Sequence, residues 1–113
     1  MKLMNETKNL ELASHVEQAL SFKQRAQGLL GRHGLPEKHS LWIQSCNSIH
    51  TWFMKFSIDA IFVGKDLRVR KVFLNLKPWD LTLPRIGADS VFEFQSGQLK
   101  GLVEKGDQLR VVH

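Results

Sequence analysis

The sequence predicts a mainly β protein, a small β-sandwich or jelly-roll-like barrel that carries one amphipathic helix over about residues 21–31. Two observations lead to this fold class. Short apolar and β-prone stretches follow one another at roughly regular spacing and are separated by turn residues, a pattern typical of sandwiches and barrels. A single helical pattern among so many strand patterns does not suit a parallel sheet with crossover helices.

The helix is predicted from the residues at its two ends. Ser21 is a favourable N-cap, and Gln24, three residues later, completes a capping box in which each side chain satisfies a backbone N–H. An apolar stripe follows, and Gly31 or Gly34 ends the helix before Pro36. We expect this helix to cover one end or one face of the sheet.

The strands are predicted from alternating apolar residues bounded by turn residues. In chain order, we expect strands over residues 10–16, 41–44, 50–54, 58–63, 67–76, 91–94 and 109–112. The short link at residues 64–67 suits a β-hairpin, and Gly97 and Gly106 mark later turns.

Length and composition fit one globular domain over residues 1–113, with residues 1–8 as a flexible terminus. The chain has 113 residues, of which 42% are hydrophobic and 24% charged, so a core can form without metal or disulfides. No run of about 18 apolar residues exists, so we expect no membrane insertion. Cys46 is the single cysteine, which excludes an internal disulfide. Together with the lack of an apolar leader, this predicts a reducing cytoplasm.

The net charge of +5 arises from 16 Lys and Arg residues against 11 Asp and Glu residues. The cations are scattered, and the densest group is Arg68, Arg70 and Lys71. Binding of an anion or nucleic acid by these three residues is one hypothesis. A solvated strand face is the interpretation we favour, so we do not expect a nucleic-acid partner.

The segment from residue 46 to residue 54 holds the most reactive side chains. Cys46 and His50 could be a nucleophile and its base, although four residues of straight strand separate them by about 13 Å, so the chain must bend between them. The structural alternative is a buried thiol and a histidine bonded to backbone. Two ligands are too few for a structural zinc site, so we expect neither a metal nor another cofactor.

Asp59 lies within an apolar strand, where its side chain shares a face with Ile61 and Val63. A buried carboxylate needs a partner. An ion pair with Arg25 or hydrogen bonds from backbone N–H groups would satisfy it, and both are structural roles.

Glu93 lies between two phenylalanines and poses the same question. If Glu93 and Asp59 converged near His50, the group could perform acid–base chemistry. Trp79, which follows Pro78, either lines a loop pocket or caps one end of the sandwich. We expect the other two tryptophans, at positions 42 and 52, to lie in the core.

These motifs together resemble an uncharacterised bacterial and archaeal family, domain of unknown function 192, over about residues 19–112. The resemblance rests on the order and spacing of short pieces, which are residues 25–30, Cys46 with 49–51, Met54 with 58–59, 76–79, 93–94 with Gly97, and 106–107. Ser57 and Asp80 depart from the family pattern, in which a proline and a basic residue are common at these places.

The resemblance implies a jelly-roll-type sandwich with one helix, and it supplies no activity. It marks six residues as candidates for one shared site: Arg25, His50, Thr51, Asp59, Trp79 and Glu93. We therefore interpret the chain first as a non-catalytic module that binds a small molecule or protein through Arg25, His50, Thr51, Trp79 and Glu93. The alternatives are an enzyme that uses His50 with Cys46 or Asp59, and an anion-binding protein. The sequence leaves the ligand and the oligomeric state open.

Overall fold

The computed structural model describes residues 1–19, 33–52 and 54–113. Eight strands are found in these residues: β1 (Lys2–Asn5), β2 (Leu10–Ala13), β3 (His15–Ala19), β4 (His39–Ile43), β5 (Ile58–Val63), β6 (Val69–Leu76), β7 (Ser90–Gln95) and β8 (Leu109–Val112). They form a three-stranded sheet of order β2-β1-β8 and a five-stranded sheet of order β3-β4-β7-β5-β6. The prediction of a mainly β fold is confirmed.

The two sheets stay separate in the described part of the chain, so the sandwich is supported there and a closed barrel is not. The predicted helix over residues 21–31 lies outside the described residues, and no described residue is helical. Within the described ranges, no helix is long and apolar enough to cross a membrane.

Strand β1 corrects the expectation of a flexible terminus over residues 1–8. It pairs antiparallel with β2 on one side and with β8 on the other, so it is the central strand of its sheet. Leu3 and Asn5 are completely buried. A strand of only four residues produces almost no periodic signal, which is why its sequence did not reveal it.

The five-stranded sheet separates two apolar clusters. One face, with Ile61, Val63, Phe92 and Phe94, packs against the three-stranded sheet. The opposite face, with Ile58, Ala60, Phe62 and Val91, packs against irregular chain that includes Ile49, Met54 and Phe56. Successive residues of a strand point to opposite faces, and β5 has both faces covered, which explains why it is apolar almost throughout.

Two strand predictions need correction. The single strand expected over residues 10–16 is two strands, β2 and β3, because the chain leaves one sheet at Ser14 and enters the other. The strand expected over residues 50–54 is not found at the described residues 50–52 and 54, where the strand-type pairing is an isolated antiparallel bridge between His50 and Leu81. The other expected strands are present: β5 and β8 have the expected bounds, and the ends of β4, β6 and β7 differ from them by at most two residues.

Candidate functional site

Two loops, residues 47–52 and 77–86, are hydrogen-bonded to each other and form what we call the paired loops. Thr51 is their central connection. Its backbone N–H donates to the Asp80 carbonyl at 2.9 Å, and its carbonyl accepts the Trp79 N–H at 3.1 Å. Its hydroxyl donates to the Lys77 carbonyl at 2.6 Å and accepts the Asp80 N–H at 2.8 Å.

Further along, the paired loops run antiparallel without forming a regular ladder. Thr82 donates its N–H to the Ile49 carbonyl at 2.9 Å, and its hydroxyl accepts the Ile49 N–H at 3.0 Å. Arg85 donates its N–H to the Asn47 carbonyl at 3.1 Å. Thr51 and Thr82 are both buried, so these bonds are shielded from water and hold the two loops as one unit.

The paired loops expose most of the large apolar side chains that reach solvent in the described residues. Trp52 is 44% exposed, Trp79 63%, Leu81 52%, Leu83 78% and Ile86 101%. Trp52 was expected in the core, and its exposure corrects that expectation. Trp42 does pack against the core, where it stacks on Phe92 at a centroid distance of 4.9 Å.

Leu81 and Thr82 separate two neighbouring concavities. The smaller, of about 350 Å³, is lined by Ser48, Ile49, His50 and Trp52 in addition to these two residues. The rings of His50 and Trp52 lie 4.9 Å apart, centroid to centroid, at 37°. The larger, of about 590 Å³, lies between Phe73 and residues 81–86. Neither concavity has Trp79 among its described lining residues.

Cys46 lies beside this region but lines a different pocket, together with Ser45, Asn47, Ala88 and Asp89. Its Sγ atom is 3.0 Å from the carbonyl oxygen of Ser48. The bend that the sequence required between Cys46 and His50 is present at residues 44–48. It opens the thiol and the imidazole to separate pockets.

Asp59 is buried and accepts three backbone hydrogen bonds. Asn75 N–H donates to Oδ1 at 2.8 Å, and the N–H groups of Gly97 and Leu99 donate to Oδ2 at 3.1 and 3.2 Å. This is the backbone-accepting role that the sequence suggested. Asn75 lies in a β-bulge, since two residues of β6 oppose Asp59 where the register shifts.

Asp59 and Glu93 point to opposite faces of the five-stranded sheet. Asp59 is paired with Phe94, which faces the three-stranded sheet, whereas Glu93 is paired with Ala60, which faces the other cluster. Directly paired residues of an antiparallel sheet share a face. The hypothesis that both carboxylates converge near His50 is therefore not supported, because a sheet lies between them. Arg25, the suggested partner of Asp59, lies outside the described residues.

The cations of the proposed anion-binding face are engaged locally. Arg68 Nη1 donates to the Gly106 carbonyl at 2.8 Å, and Arg70 Nη2 lies 3.2 Å from both carboxylate oxygens of Asp66. The Arg68 backbone N–H and the Arg70 charge hold the pKa of Asp66 below its ordinary value of 3.8. Lys71 Nζ lies 5.4 Å from the centroid of the Phe73 ring. These contacts favour the interpretation of a structural strand face.

Asp107 joins the two ends of the chain. Its Oδ2 accepts the Asn5 side-chain amide at 2.9 Å and the Glu104 N–H at 3.0 Å, and Lys8 Nζ lies 3.4 Å away. Burial raises the pKa of Asp107, but the hydrogen bonds from Asn5 and Glu104 and the charge of Lys8 outweigh it. The pKa is therefore lowered from 3.8.

The sequence interpretation missed the residues that line the larger concavity, above all Phe73, Arg85 and Ile86. One signal was available. Leu81 and Leu83 alternate with Thr82 as in a strand, but Pro84 follows at once and Gly87 lies three residues later, so the segment cannot continue as a central strand. Apolar residues in such a segment either pack into the core from a loop or form an exposed binding surface.

Comparison with known proteins assigns the chain to a family. The family model DUF192, described as "Uncharacterized ACR", matches residues 3–111. A UPF0127 protein of Pyrococcus horikoshii is 36% identical over 112 residues, which cover 96% of each chain. A UPF0127 protein of Pyrococcus abyssi is 34% identical over 111 residues, which cover 95% of this chain and 94% of the relative.

Two solved structures share the fold. A protein of unknown function from Novosphingobium aromaticivorans has a TM-score of 0.78 at 24% identity, over 97% of this chain and 82% of its own. A candidate transcription regulator from Sinorhizobium meliloti has a TM-score of 0.77 at 24% identity, over 96% and 89% of the two chains. At this identity the likeness concerns the fold alone. The family match, together with the archaeal relatives, shows that this chain belongs to the uncharacterised DUF192 family, also called UPF0127.

Proposed function

We propose that this protein is a non-catalytic binding module whose binding surface is the pair of loops at residues 47–52 and 77–86. The observation that carries this proposal is the set of five exposed apolar side chains on these loops, three of them more than 60% exposed. Clustered apolar exposure of this kind is typical of interaction sites. The two concavities beside Leu81 give a ligand a place to enter.

The hydrogen bonds between the loops favour a preformed binding surface over apolar side chains that are exposed by chance. Buried bonds from Thr51 and Thr82 fix the loop backbone, so the apolar side chains are presented on a rigid frame. Preorganisation of this kind lowers the entropy lost on binding. Trp79 has a φ of 68°, a left-handed conformation that costs a bulky residue about 1–2 kcal/mol. Strain retained at an exposed aromatic residue is common at binding sites.

The arrangement of the reactive side chains supports binding over catalysis. Cys46 and His50 open to different pockets, and both oxygens of Asp59 accept backbone hydrogen bonds. A nucleic-acid role, which the description of the Sinorhizobium protein would suggest, has less support, because Arg68 and Arg70 are held by local acceptors. Thr51 supports the site as a frame residue, since its hydroxyl already has backbone partners.

The test is a thermal-shift screen of metabolites and glycans against the wild type and two matched variants. Leu81→Ser changes an exposed residue, 52% accessible, that lines both concavities. Leu74→Ser changes a leucine of similar exposure, 47%, on β6. We expect compounds that raise the Tm of the wild type and of Leu74→Ser but not that of Leu81→Ser. Hits that stabilise Leu81→Ser equally well, or that the protein converts to product, would contradict the proposal.

A further inference from the structure

The larger of the two concavities, the groove between Phe73 and residues 81–86, has a mixed character. Its walls include the apolar side chains of Phe73, Leu81, Leu83 and Ile86. Leu83 and Ile86 are almost entirely exposed, so they can contact a ligand without first leaving the core. The volume of about 590 Å³ lies within the range typical of small-molecule sites.

Arg85 places one cationic group in this apolar setting. Its Nε atom is shielded from solvent and has no hydrogen-bond acceptor in the described residues. A buried donor on a charged group that lacks an acceptor has lost its hydration without compensation, which is costly. Arg85 as a whole is half-buried, so an anion in the groove can satisfy this donor once the side chain turns toward it, and the guanidinium fork then fits the two oxygens of a carboxylate.

The charges around the groove also favour an anion. None of its described lining residues is acidic, and Lys71 Nζ lies 5.4 Å from the centroid of the Phe73 ring, which forms one wall. The whole chain carries a net charge of +5. Apolar walls, one guanidinium and the net positive charge of the chain together favour a ligand with an apolar body and one negative end.

We infer that this groove binds a small carboxylic acid with an apolar chain, whose carboxylate is held by the Arg85 guanidinium while the chain contacts Phe73, Leu83 and Ile86. This inference rests on the proposed binding function and names its ligand class. It also assigns the polar contact to a residue outside the set that the sequence marked.

The experiment compares three probes that share one alkyl chain: octanoate, octanamide and octylamine. Each is titrated at pH 7 and followed by the Tm of the protein and by the backbone NMR signals of residues 81–86. We expect octanoate to raise the Tm and shift these signals. Octanamide should bind at least ten-fold more weakly, because it lacks the charge, and octylamine should have no effect.

Variants then locate the carboxylate. Arg85→Gln should weaken octanoate binding at least ten-fold, while Arg110→Gln, which removes the same charge from strand β8, should leave it unchanged. Arg85→Lys keeps the charge but lacks the planar fork, so it should bind with intermediate affinity. The backbone bond from Arg85 to Asn47 does not involve the side chain, and the Tm of each variant without ligand shows whether the loops are intact.

Three results would overturn the inference: no response of the wild type to octanoate, equal binding of octanoate and octanamide, or unchanged binding in Arg85→Gln. The Trp52→Ala variant distinguishes a wrong groove assignment from a wrong binding function, because Trp52 lines the smaller concavity and not the larger. If Trp52→Ala abolishes octanoate binding and Arg85→Gln does not, the ligand occupies the smaller concavity. The binding function then stands and the groove assignment is wrong.

Discussion

At the scale of single residues, buried polar side chains stabilise this fold through hydrogen bonds with backbone N–H and carbonyl groups. Thr51, Asp59 and Asp107 are each almost fully buried, and each bonds at least one main-chain group far away in sequence or at a turn. Such residues look reactive in a sequence because they are polar among apolar neighbours. Their described partners give them structural roles. A candidate site chosen from residue types alone therefore combined residues that hold the backbone in place with residues that are exposed on the surface.

The hydroxyl of Thr51 can be tested with an isosteric change. Thr51→Val removes the donor to the Lys77 carbonyl and the acceptor for the Asp80 N–H, so both hydrogen bonds of the buried Thr51 hydroxyl are lost. We expect a loss of about 2 kcal/mol in the free energy of unfolding, together with faster hydrogen exchange at residues 79–82. Thr7→Val is the control, since the Thr7 hydroxyl also accepts a backbone N–H, from Gln108, but is exposed. Equal stability of the two variants would contradict the proposal that the Thr51 hydroxyl holds the two loops together.

Asp107 predicts a dependence of stability on pH. Its pKa is lower in the folded protein than its ordinary value of 3.8, so its ionised form stabilises the fold above about pH 4, and this contribution is lost as the pH falls through the folded-state pKa. At pH 7 we expect Asp107→Asn to unfold more easily than the wild type by about 1–3 kcal/mol. The difference should shrink below about pH 4, as measured by urea unfolding at each pH.

Glu104→Gln is the matched control for Asp107. Glu104 pairs with the same Lys8 at 2.9 Å, but its side chain is 72% exposed. Surface ion pairs contribute little, so this variant should differ from the wild type by less than about 1 kcal/mol at any pH. A difference between wild type and Asp107→Asn that stays constant down to pH 2 would show that the carboxylate charge is not responsible.

At the scale of elements, sequence reasoning succeeded where a strand has a long apolar pattern and failed where neighbours decide the structure. Strand β5 was found, and the face of Asp59 follows from the two-residue period of a strand. Residues 50–54 contain β-prone side chains but have no strand to pair with except at the His50–Leu81 bridge. β-propensity reflects packing against neighbours, which one sequence does not display.

The bulge opposite Asp59 gives a prediction for an element. Asp59→Asn keeps the size of the side chain but replaces one acceptor oxygen with an NH₂ group, so either Asn75 or the Gly97–Leu99 turn loses its acceptor. We expect a loss of about 2–3 kcal/mol in the free energy of unfolding, since hydrogen bonds to charged groups contribute about 1.5–3 kcal/mol each. Asp80→Asn, at an exposed aspartate that also accepts a backbone N–H, should change stability by less than about 0.5 kcal/mol.

At the scale of the whole molecule, the shared apolar cluster between the two sheets depends on both ends of the chain. Leu3 of β1 and Leu109 of β8 lie in the same cluster as Phe92 and Phe94 of the five-stranded sheet. Asn5 and Asp107 bond each other directly at 2.9 Å. A sequence scan treats the two termini as remote, so this closure could not be inferred from local patterns.

Deletion of residues 1–8 tests whether the first strand is part of the folded unit. Without β1, strands β2 and β8 lose the neighbour that joins them, the cluster loses Leu3, and Asp107 loses its bond from Asn5. Because a buried leucine truncated to alanine already costs about 2–5 kcal/mol, removal of the whole strand exceeds the margin of a typical small domain. We expect the truncated chain to lose its cooperative thermal transition and near-ultraviolet circular dichroism. Lys2→Ala in the full chain, an exposed change in the same strand, should retain the cooperative transition and the near-ultraviolet signal. A truncated chain that melts within a few degrees of the full chain would show that β1 is dispensable.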